Sequence, residues 1–263
     1  MELGFFEEFP TERNVSKLNL IPWDIDLVIA AKSINEFYYL KNRLKNKKNL
    51  KNIIYWPILS KKHGYWLSPF VEKKILKEKI LEILNQKDLM ILWDAELPIY
   101  KELMVLNIFS FFRNKRLIKQ FFKKAKQNNI KIITAEYPFE NFFFRNILSF
   151  LGLKFKKYYR KNILAYFGFA KTRFTKNFLK KQVKIAYQKD KNVIIGLGPI
   201  ASGILGNEPM VSPKTLDHNL QFIQKVGVKK VYIFRLGGLN QEYAGVIRKY
   251  IEPFPIVLNN KMP

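Results

Sequence analysis

Short apolar runs alternate with amphipathic segments along most of the chain. Several runs are continuous rather than alternating with polar residues, as expected for strands that are buried on both faces of a parallel sheet. The segments between them have apolar residues three or four positions apart, which is typical of helices that pack by one face. We therefore predict eight strands, at 3–9, 26–31, 52–59, 88–96, 130–136, 162–169, 192–198 and 229–235.

Capping residues mark helix starts between these strands. Ser33 and Glu36 form a capping-box pattern, and the Ser-Pro pairs at 68–69 and 212–213 place a cap residue before a proline at the first helical position. Gly227 is predicted to end the helix that begins after residue 212, since glycine favours the left-handed conformation of a helix C-terminus.

Eight strand-helix units in a chain of 263 residues predict a single (β/α)8 TIM-like barrel. The alternative is a doubly wound open parallel sheet, because eight units can be confused with seven. No linker or low-complexity tract divides the chain, so we expect one domain over 1–263.

Three of the apolar runs share the same ending, in which a glutamate is followed by one apolar or aromatic residue and a proline. The runs at 4–10, 89–98 and 131–138 read GFFEEFP, LMILWDAELP and KIITAEYP, and they contain Glu8, Glu96 and Glu136. Proline cannot donate to a sheet, so each glutamate should lie where a strand ends. Parallel neighbouring strands would bring the three carboxylates to one rim of the barrel.

Asp94 strengthens this prediction, because it lies two residues before Glu96 and shares its strand face. We take Glu96, Glu136, Glu8 and Asp94 as candidate catalytic residues. Paired carboxylates suit glycoside hydrolysis, in which one protonates the leaving oxygen and the other acts as nucleophile or base. The same residue types could instead hold Mg²⁺ or Mn²⁺, although no cofactor is required by the first interpretation.

Substrate-binding candidates surround the same rim. Trp56 and Tyr137 could stack on a sugar ring, and Arg235 could bind an anion. Gly198, Gly237 and Gly238 belong to the loops after strands seven and eight, where barrel enzymes often bind phosphate through backbone N–H groups. The alternative is that these glycines only form tight turns. The loop after strand seven also contains Glu208, which is a further carboxylate near the predicted mouth. 

The formal charge of +26 lies entirely within residues 41–191, since residues 1–40 and 192–263 carry −4 and +4. Such a field favours anionic partners. Compositional drift is the alternative, because only nine of the 47 basic residues are arginine. The segment 142–161, FFFRNILSFLGLKFKKYYRK, could contact anionic lipid or single-stranded nucleic acid, but no nucleic-acid-binding motif accompanies it.

Other features bear on the cellular location. The chain has no cysteine, its N-terminus lacks the pattern of a signal peptide, and no run approaches the length of a membrane span. These features predict a soluble cytoplasmic protein.

The strand-end carboxylates, the aromatic residues close to them in the sequence and the eight-unit pattern resemble the (β/α)8 glycosidases at the level of the fold. In the best-known clan of these enzymes, glutamates ending strands four and seven are the acid and the nucleophile. Glu96 matches the first position. The seventh strand, NVIIGLG, has no glutamate at its end, and Glu208 follows only later in the loop.

The sequence therefore predicts a hydrolase that acts on a carbohydrate or a sugar phosphate, with Glu96 as general acid/base and Glu136 or Glu8 as the second carboxylate. The first alternative is a metal-dependent enzyme acting on a phosphorylated substrate. The second is a basic protein without catalytic activity that binds an anionic polymer or a membrane surface.

Overall fold

A computed structural model describes residues 1–155 and 159–251 of the chain. Three residues of the aromatic and basic segment 142–161, at 156–158, lie outside the described residues, as does the end of the chain. The strands are β1 Glu2–Glu7, β2 Ile25–Ala31, β3 Leu50–Pro57, β4 Met90–Asp94, β5 Lys131–Glu136, β6 Arg160–Leu164, β7 Ile194–Leu197 and β8 Lys230–Phe234.

The eight strands form a closed parallel barrel in chain order. The barrel closes where β1 pairs with β8, with Phe5 opposite Ile233 and Phe6 opposite Phe234. This confirms the predicted (β/α)8 fold, and the alternative of an open sheet is wrong because each of the eight strands pairs with two others, so the sheet has no edge strand. All eight predicted strands are present, although the predicted sixth strand stops at Leu164 and continues as a loop with a 3₁₀ turn at Phe167–Phe169.

The helices that connect the strands surround the barrel. They are α1 Glu12–Val15, α2 Ile34–Arg43, α3 Lys73–Leu84, α4 Glu102–Leu106, α5 Ile108–Gln127, α6 Phe142–Phe150, α7 Arg173–Lys189, α8 Pro213–Val226 and α9 Gln241–Arg248. Ser33 and Ser212 cap α2 and α8 as predicted, and Gly227 ends α8 with φ of 91°. The predicted helix start at Ser68 is wrong, since α3 begins at Lys73 and has no side-chain cap.

Side chains alternate between two cores along each strand, because successive residues of a strand point to opposite faces. Phe6, Leu92 and Ile133 fill the inside of the barrel. Phe5 and Trp93 face outward against the helices, and the Trp93 ring lies 5.0 Å from that of Phe121 in α5. This alternation decides which of the candidate residues point toward the mouth of the barrel.

The end of the barrel where the strands begin is closed by a buried polar cluster around Asp26. The hydroxyl of Tyr232 donates to Asp26 over 2.7 Å, Asn52 donates over 2.6 Å, and Lys230 forms an ion pair of 2.6 Å with it. A ligand therefore has access to the barrel at the opposite end, where the strands finish.

Candidate active site

Three of the four candidate catalytic carboxylates lie at the mouth of the barrel. β1 ends at Glu7 and β4 at Asp94, so Glu8 and Glu96 follow directly after the strands. Glu8 and Asp94 are buried, whereas Glu96 is partly exposed. All three point inward, since they have the same parity as the inward-facing Phe6 and Leu92.

Glu8 is held between two loops. The Tyr65 hydroxyl, in the loop after β3, donates to Glu8 Oε1 over 2.7 Å. On the other side lies Gly203 in the loop after β7. A Cβ atom at position 203 would lie 2.7 Å from Glu8 Oε2 and 2.8 Å from Oε1 of Glu208. A glycine is therefore needed here, and Glu208 joins the carboxylates at the mouth.

Burial raises the pKa of Glu8 to about 7, and the charge of Glu208 contributes to the rise. The hydrogen bond from Tyr65 and the positive charge of Arg235 act in the opposite direction. Desolvation raises the pKa because it favours the neutral carboxyl, whereas a donated hydrogen bond lowers the pKa because it favours the carboxylate. Glu8 is therefore able to gain or lose a proton near neutral pH.

Burial also raises the pKa of Glu96 to about 7, with a further contribution from the negative charge of Glu8, while a hydrogen bond with Tyr137 opposes the rise. The pKa of Asp94 is raised well above its usual value by burial and then by the charges of Glu96 and Glu8. These carboxyls interact, so they titrate as a group and share protons at pH 7.

Four buried polar atoms at this mouth have no hydrogen-bond partner within the described part of the chain. They are Glu8 Oε2, Asp94 Oδ1, Glu208 Oε2 and Trp56 Nε1. Longer interactions, of the Trp56 N–H with Asp94 and of the Ile204 backbone N–H with Glu8, act to lower the pKa of these two carboxyls. Buried polar atoms are normally paired, so a concentration of unpaired ones indicates a place where water or a ligand binds.

A pocket of about 500 Å³ opens beside Glu8, on the side of β1, β2 and β3. Its walls include Tyr65 and Ser60, whose hydroxyl is buried and also lacks a partner among the described residues. Lys32 and Lys61 lie at its exposed edge. Pockets of this size are typical of small-molecule sites.

The two predicted aromatic residues have different surroundings. Trp56 lies inside the barrel below the carboxylates, 5.8 Å from the Phe6 ring and 6.5 Å from the Phe234 ring. Only its N–H could reach a ligand. Tyr137 lies beside Glu96, and its hydroxyl also accepts a hydrogen bond of 3.4 Å from the Leu97 N–H.

Tyr166, in the loop after β6, is a residue of the mouth that the sequence analysis missed. Burial raises its pKa well above the usual value, as do the charges of Glu96, Asp94 and Glu8, so its hydroxyl faces these carboxylates. The alternation of side-chain direction along β6 could have identified it, since Tyr166 is two residues beyond the inward-facing Leu164.

Glu136 does not join this group, and the prediction that its carboxylate converges with the others is wrong. In the register of β4 and β5, Asp94 lies opposite Ala135, so Ala135 points inward and Glu136 outward. Glu136 is fully buried between the barrel and the helices, where Lys154 and Lys161 lie 3.5 and 3.4 Å from Oε2.

Arg235 is also engaged within the protein. Its Nη1 atom lies 3.0 Å from Glu7 Oε1, and its Nε atom donates to the Ser202 carbonyl over 2.8 Å. Glu7 in addition accepts a hydrogen bond of 2.6 Å from the Gly237 N–H. Arg235 therefore joins the loops after β7 and β8 to β1, rather than presenting its guanidinium to an anion.

The other glycines of these loops allow close backbone contacts. A Cβ atom on Gly198 would lie 2.4 Å from the Phe234 carbonyl oxygen, and one on Gly238 would lie 2.0 Å from that of Ile200. The Gly238 N–H donates to the Arg235 carbonyl over 3.0 Å. The N–H groups of Gly237 and Gly238 are thus used within the protein, which agrees with the turn-forming alternative and not with a phosphate site.

Residues 1–155 and 159–251 contain no group of three or more His, Cys, Asp or Glu side chains arranged to hold a metal ion. An Mg²⁺ or Mn²⁺ site stays a prediction. In the same residues, no helix combines the length and the apolar character needed to cross a bilayer.

The chain was compared with known proteins. No protein-family model matches it, and no curated protein sequence matches it. Solved structures do match. The glycoside hydrolase domain of PgaB (BpsB) from Bordetella bronchiseptica is 10% identical with a TM-score of 0.58, and the alignment covers 97% of this chain and 99% of that one.

Two further structures illustrate the range of matches. A D-tagatose 3-epimerase-like protein is 13% identical with a TM-score of 0.56, and the alignment covers 95% of this chain and 97% of that one. A chitinase from Chromobacterium violaceum is 6% identical with a TM-score of 0.54, with 95% and 98% covered. At these identities the similarity shows a shared fold. The chain thus resembles glycoside hydrolase and sugar epimerase barrels in its fold.

Proposed function

We propose that the protein is an enzyme that hydrolyses a glycosidic bond at the mouth of the barrel. The observation that carries the proposal is the pair of carboxyl groups of Glu8 and Glu96, which follow β1 and β4 at the same mouth, point inward, and both have a pKa of about 7. Glycoside hydrolysis needs one protonated and one ionised carboxyl at the same pH. A pair whose pKa values lie near neutrality, with one charge raising the pKa of the other, meets this requirement.

The surroundings of the two carboxyls support different roles. Each has a hydrogen bond with a tyrosine, Glu8 with Tyr65 and Glu96 with Tyr137, but Glu8 also lies near the positive charge of Arg235, so the shared negative charge is better stabilised there. Its charge then keeps Glu96 protonated. Glu96 is the general acid that protonates the leaving oxygen, and Glu8 is the nucleophile or the base that activates water. Asp94, held neutral by its burial and by the charge of Glu8, can donate a hydrogen bond to the sugar.

The neighbours in fold support a carbohydrate substrate. The matching structures include proteins named as a chitinase, a glycoside hydrolase domain and a D-tagatose 3-epimerase-like protein. The pocket beside Glu8 has exposed charges of both signs, Lys32 and Lys61 together with Glu36, so it offers donors and acceptors to the hydroxyl groups of a sugar.

The test is a hydrolysis screen with 4-nitrophenyl glycosides and chitin oligosaccharides, followed by Glu96→Gln and Glu8→Gln variants. We expect each variant to lose activity by about a hundredfold or more, because an amide cannot donate or accept the proton. Glu78→Gln, an exposed residue of α3, is the matched control and should keep full activity. Full activity in Glu96→Gln would contradict the proposal.

A second candidate function is metal-dependent chemistry on a phosphorylated substrate. The two lysines at the edge of the pocket favour it. One or two of the mouth carboxylates together with substrate phosphates would hold Mg²⁺ or Mn²⁺, since no three acidic side chains of the described residues are arranged around one ion. Calorimetric titration of chelator-treated protein with Mg²⁺ and Mn²⁺ distinguishes it from the first. Binding that Glu96→Gln abolishes would favour this function, whereas activity that is insensitive to a chelator would exclude it.

A further inference from the structure

The structure has an exposed aromatic and aliphatic surface on one sector of the rim of the barrel. It consists of Leu106, Phe109, Phe112, Phe142, Phe143 and Phe174, which are between 66% and 92% exposed. We call these six residues the aromatic rim. Large apolar side chains that cluster on a surface usually mark a site of interaction with a partner or a membrane.

The aromatic rim lies on the same side of the molecule as the mouth. Leu106, Phe109 and Phe112 lie in α4 and the first turns of α5, which follow β4. Phe142 and Phe143 begin α6 after β5, and Phe174 is in the first turn of α7 after β6. Helices of a (β/α)8 barrel begin where the preceding strands end, and β4, β5 and β6 are neighbours. The six side chains therefore belong to one sector beside the mouth.

Contacts between the helices make this sector continuous. The Phe112 and Phe150 rings are 6.4 Å apart, and Lys115 Nζ donates to the Phe150 carbonyl over 2.7 Å, so α5 is joined to α6. Phe139 lies 5.5 Å from Phe144 of α6 and 5.9 Å from Phe178 of α7. The surface is thus carried by four helices, of which α4 directly precedes α5 and the other three are connected by these contacts.

The charge around the aromatic rim is predominantly positive. Residues 102–189, from the start of α4 to the end of α7, contain 21 Lys and Arg and three acidic residues, Glu102, Glu136 and Glu140. Glu136 and Glu140 are buried, at 0% and 2% exposure, and are paired with lysines. Glu102 is therefore the one exposed acid of this segment within the described residues, and the other exposed charges are positive. The complement of such a surface is a negatively charged one.

We propose that the aromatic rim inserts into the headgroup region of an anionic lipid bilayer, with the mouth of the barrel facing the membrane surface. Apolar side chains surrounded by Lys and Arg are the composition of peripheral membrane-binding segments, which combine burial of apolar area with attraction to anionic lipids. The proposal does not depend on the catalytic roles of Glu8 and Glu96.

Two other occupants fit the surface less well. A second copy of the chain would bring together two surfaces of the same positive sign, which repel each other. Single-stranded nucleic acid would use the charges and the rings, but Leu106 and its neighbours Val105 and Ile108, all more than half exposed, have no face on which a base could stack. Lipid acyl chains accommodate aliphatic and aromatic side chains alike.

Sedimentation with vesicles tests the proposal. One set of vesicles is pure phosphatidylcholine, and the other contains about 30 mol% phosphatidylglycerol, at a salt concentration of about 0.1 M. We expect binding to the anionic vesicles and an affinity weaker by about tenfold or more for the neutral ones, because each basic residue near the surface contributes about fivefold. No binding to the anionic vesicles, or equal binding to both, would overturn the proposal.

Variants separate the apolar and the electrostatic contributions. The triple variant Phe109→Ser, Phe142→Ser, Phe143→Ser should bind anionic vesicles about tenfold or more weakly, whereas Tyr39→Ser, which removes an exposed ring on α2, should bind like the wild type. All four positions are exposed, so the variants should stay folded. Unchanged binding by the triple variant would contradict the proposal.

Charge reversal provides the second pair of variants. Arg113→Glu, Lys171→Glu and Lys176→Glu change exposed residues beside the aromatic rim, and together they should weaken binding by about tenfold or more. Lys48→Glu, Lys51→Glu and Lys87→Glu make the same change in net charge where β3 and β4 begin, and should have a small effect. Equal losses of vesicle binding in both sets would show a general electrostatic attraction without a docking face, and would contradict the proposal. Binding to a single-stranded oligonucleotide that the phenylalanine variants abolish would indicate the other partner and overturn the lipid assignment.

Discussion

The hydroxyl of Tyr65 lies 2.7 Å from Oε1 of Glu8, and this hydrogen bond joins the loop after β3 to the carboxylate that follows β1. It links the wall of the pocket to the proposed catalytic pair, because Tyr65 also lines the pocket beside Glu8. The bond stabilises the charged form of Glu8 against the effect of its burial.

Replacement of Tyr65 by phenylalanine should raise the pKa of Glu8. The variant removes a hydrogen bond donated to the carboxylate and keeps the ring, so the pKa should rise by about 1. The acidic limb of the pH dependence of kcat/KM should move to higher pH by the same amount, since Glu8 must be ionised to act. Carboxyl carbon NMR titration measures the pKa directly. Tyr39→Phe is the control, and an unchanged titration of Glu8 in Tyr65→Phe would contradict the assignment.

The protein should be more stable at pH 5.5 than at pH 8. The pKa of Glu8 rises from 4.5 to about 7 in the folded state, so the folded state holds its proton more tightly than the unfolded state. The stabilisation is complete below about pH 4.5 and is lost as the pH rises through 7, by up to roughly 3 kcal/mol for this group.

Urea unfolding at several pH values checks this expectation. Glu8→Gln should flatten the decline of the unfolding free energy between pH 5.5 and 8, because the amide does not titrate. Glu140, whose pKa is lowered mainly by Lys154 against the opposing effect of its burial, acts on stability only below about pH 4.5 and does not obscure the comparison. A free energy that rises over this interval in the wild type would show that the mouth carboxyls are ionised in the folded protein.

Replacement of Glu136 by glutamine should reduce stability and leave catalysis intact. The change removes one carboxylate from a buried cluster in which Lys154 keeps its ion pair of 2.6 Å with Glu140. The cost should be about 2 kcal/mol, which is less than that of a buried charge left without a partner. Thermal unfolding measures the loss, and kcat per folded molecule should equal that of the wild type. A loss of activity without a loss of stability would indicate that Glu136 takes part in catalysis.

Replacement of Gly203 by alanine should lower activity strongly. The added methyl group would lie 2.7 Å from Glu8 Oε2 and 2.8 Å from Glu208 Oε1, so at least one carboxylate must move. We expect a loss of about a hundredfold in kcat, since small displacements of catalytic groups have large effects on the rate. Gly245→Ala, where a Cβ atom meets nothing within 4 Å, is the control and should be active.

The pattern of apolar runs was enough to predict the eight strands and to favour a barrel over an open sheet, because the period of hydrophobicity and the helix caps are local properties. It also placed Glu8, Asp94 and Glu96 where strands end, since a proline after the motif stops a strand wherever it folds. These local signals do not depend on which strands become neighbours.

The direction of each side chain depended on the tertiary structure. The motifs AELP and AEYP look alike, yet Glu96 faces the mouth and Glu136 faces the helices. The difference arises from the register of β4 and β5, in which Asp94 lies opposite Ala135, and a shift of one residue would exchange the two faces.

Contacts between distant loops were likewise decided only in three dimensions. The sequence suggested that Arg235 and the glycines after β7 and β8 could bind an anion. Instead, Glu7, one position before the catalytic candidate Glu8, forms an ion pair with Arg235 and accepts a hydrogen bond from the Gly237 N–H. Sequence alone thus determined the fold and the strand-end carboxylates, because local hydrophobic pattern and proline encode them. The composition of the site was decided by strand register and loop packing, which depend on residues more than 200 positions apart.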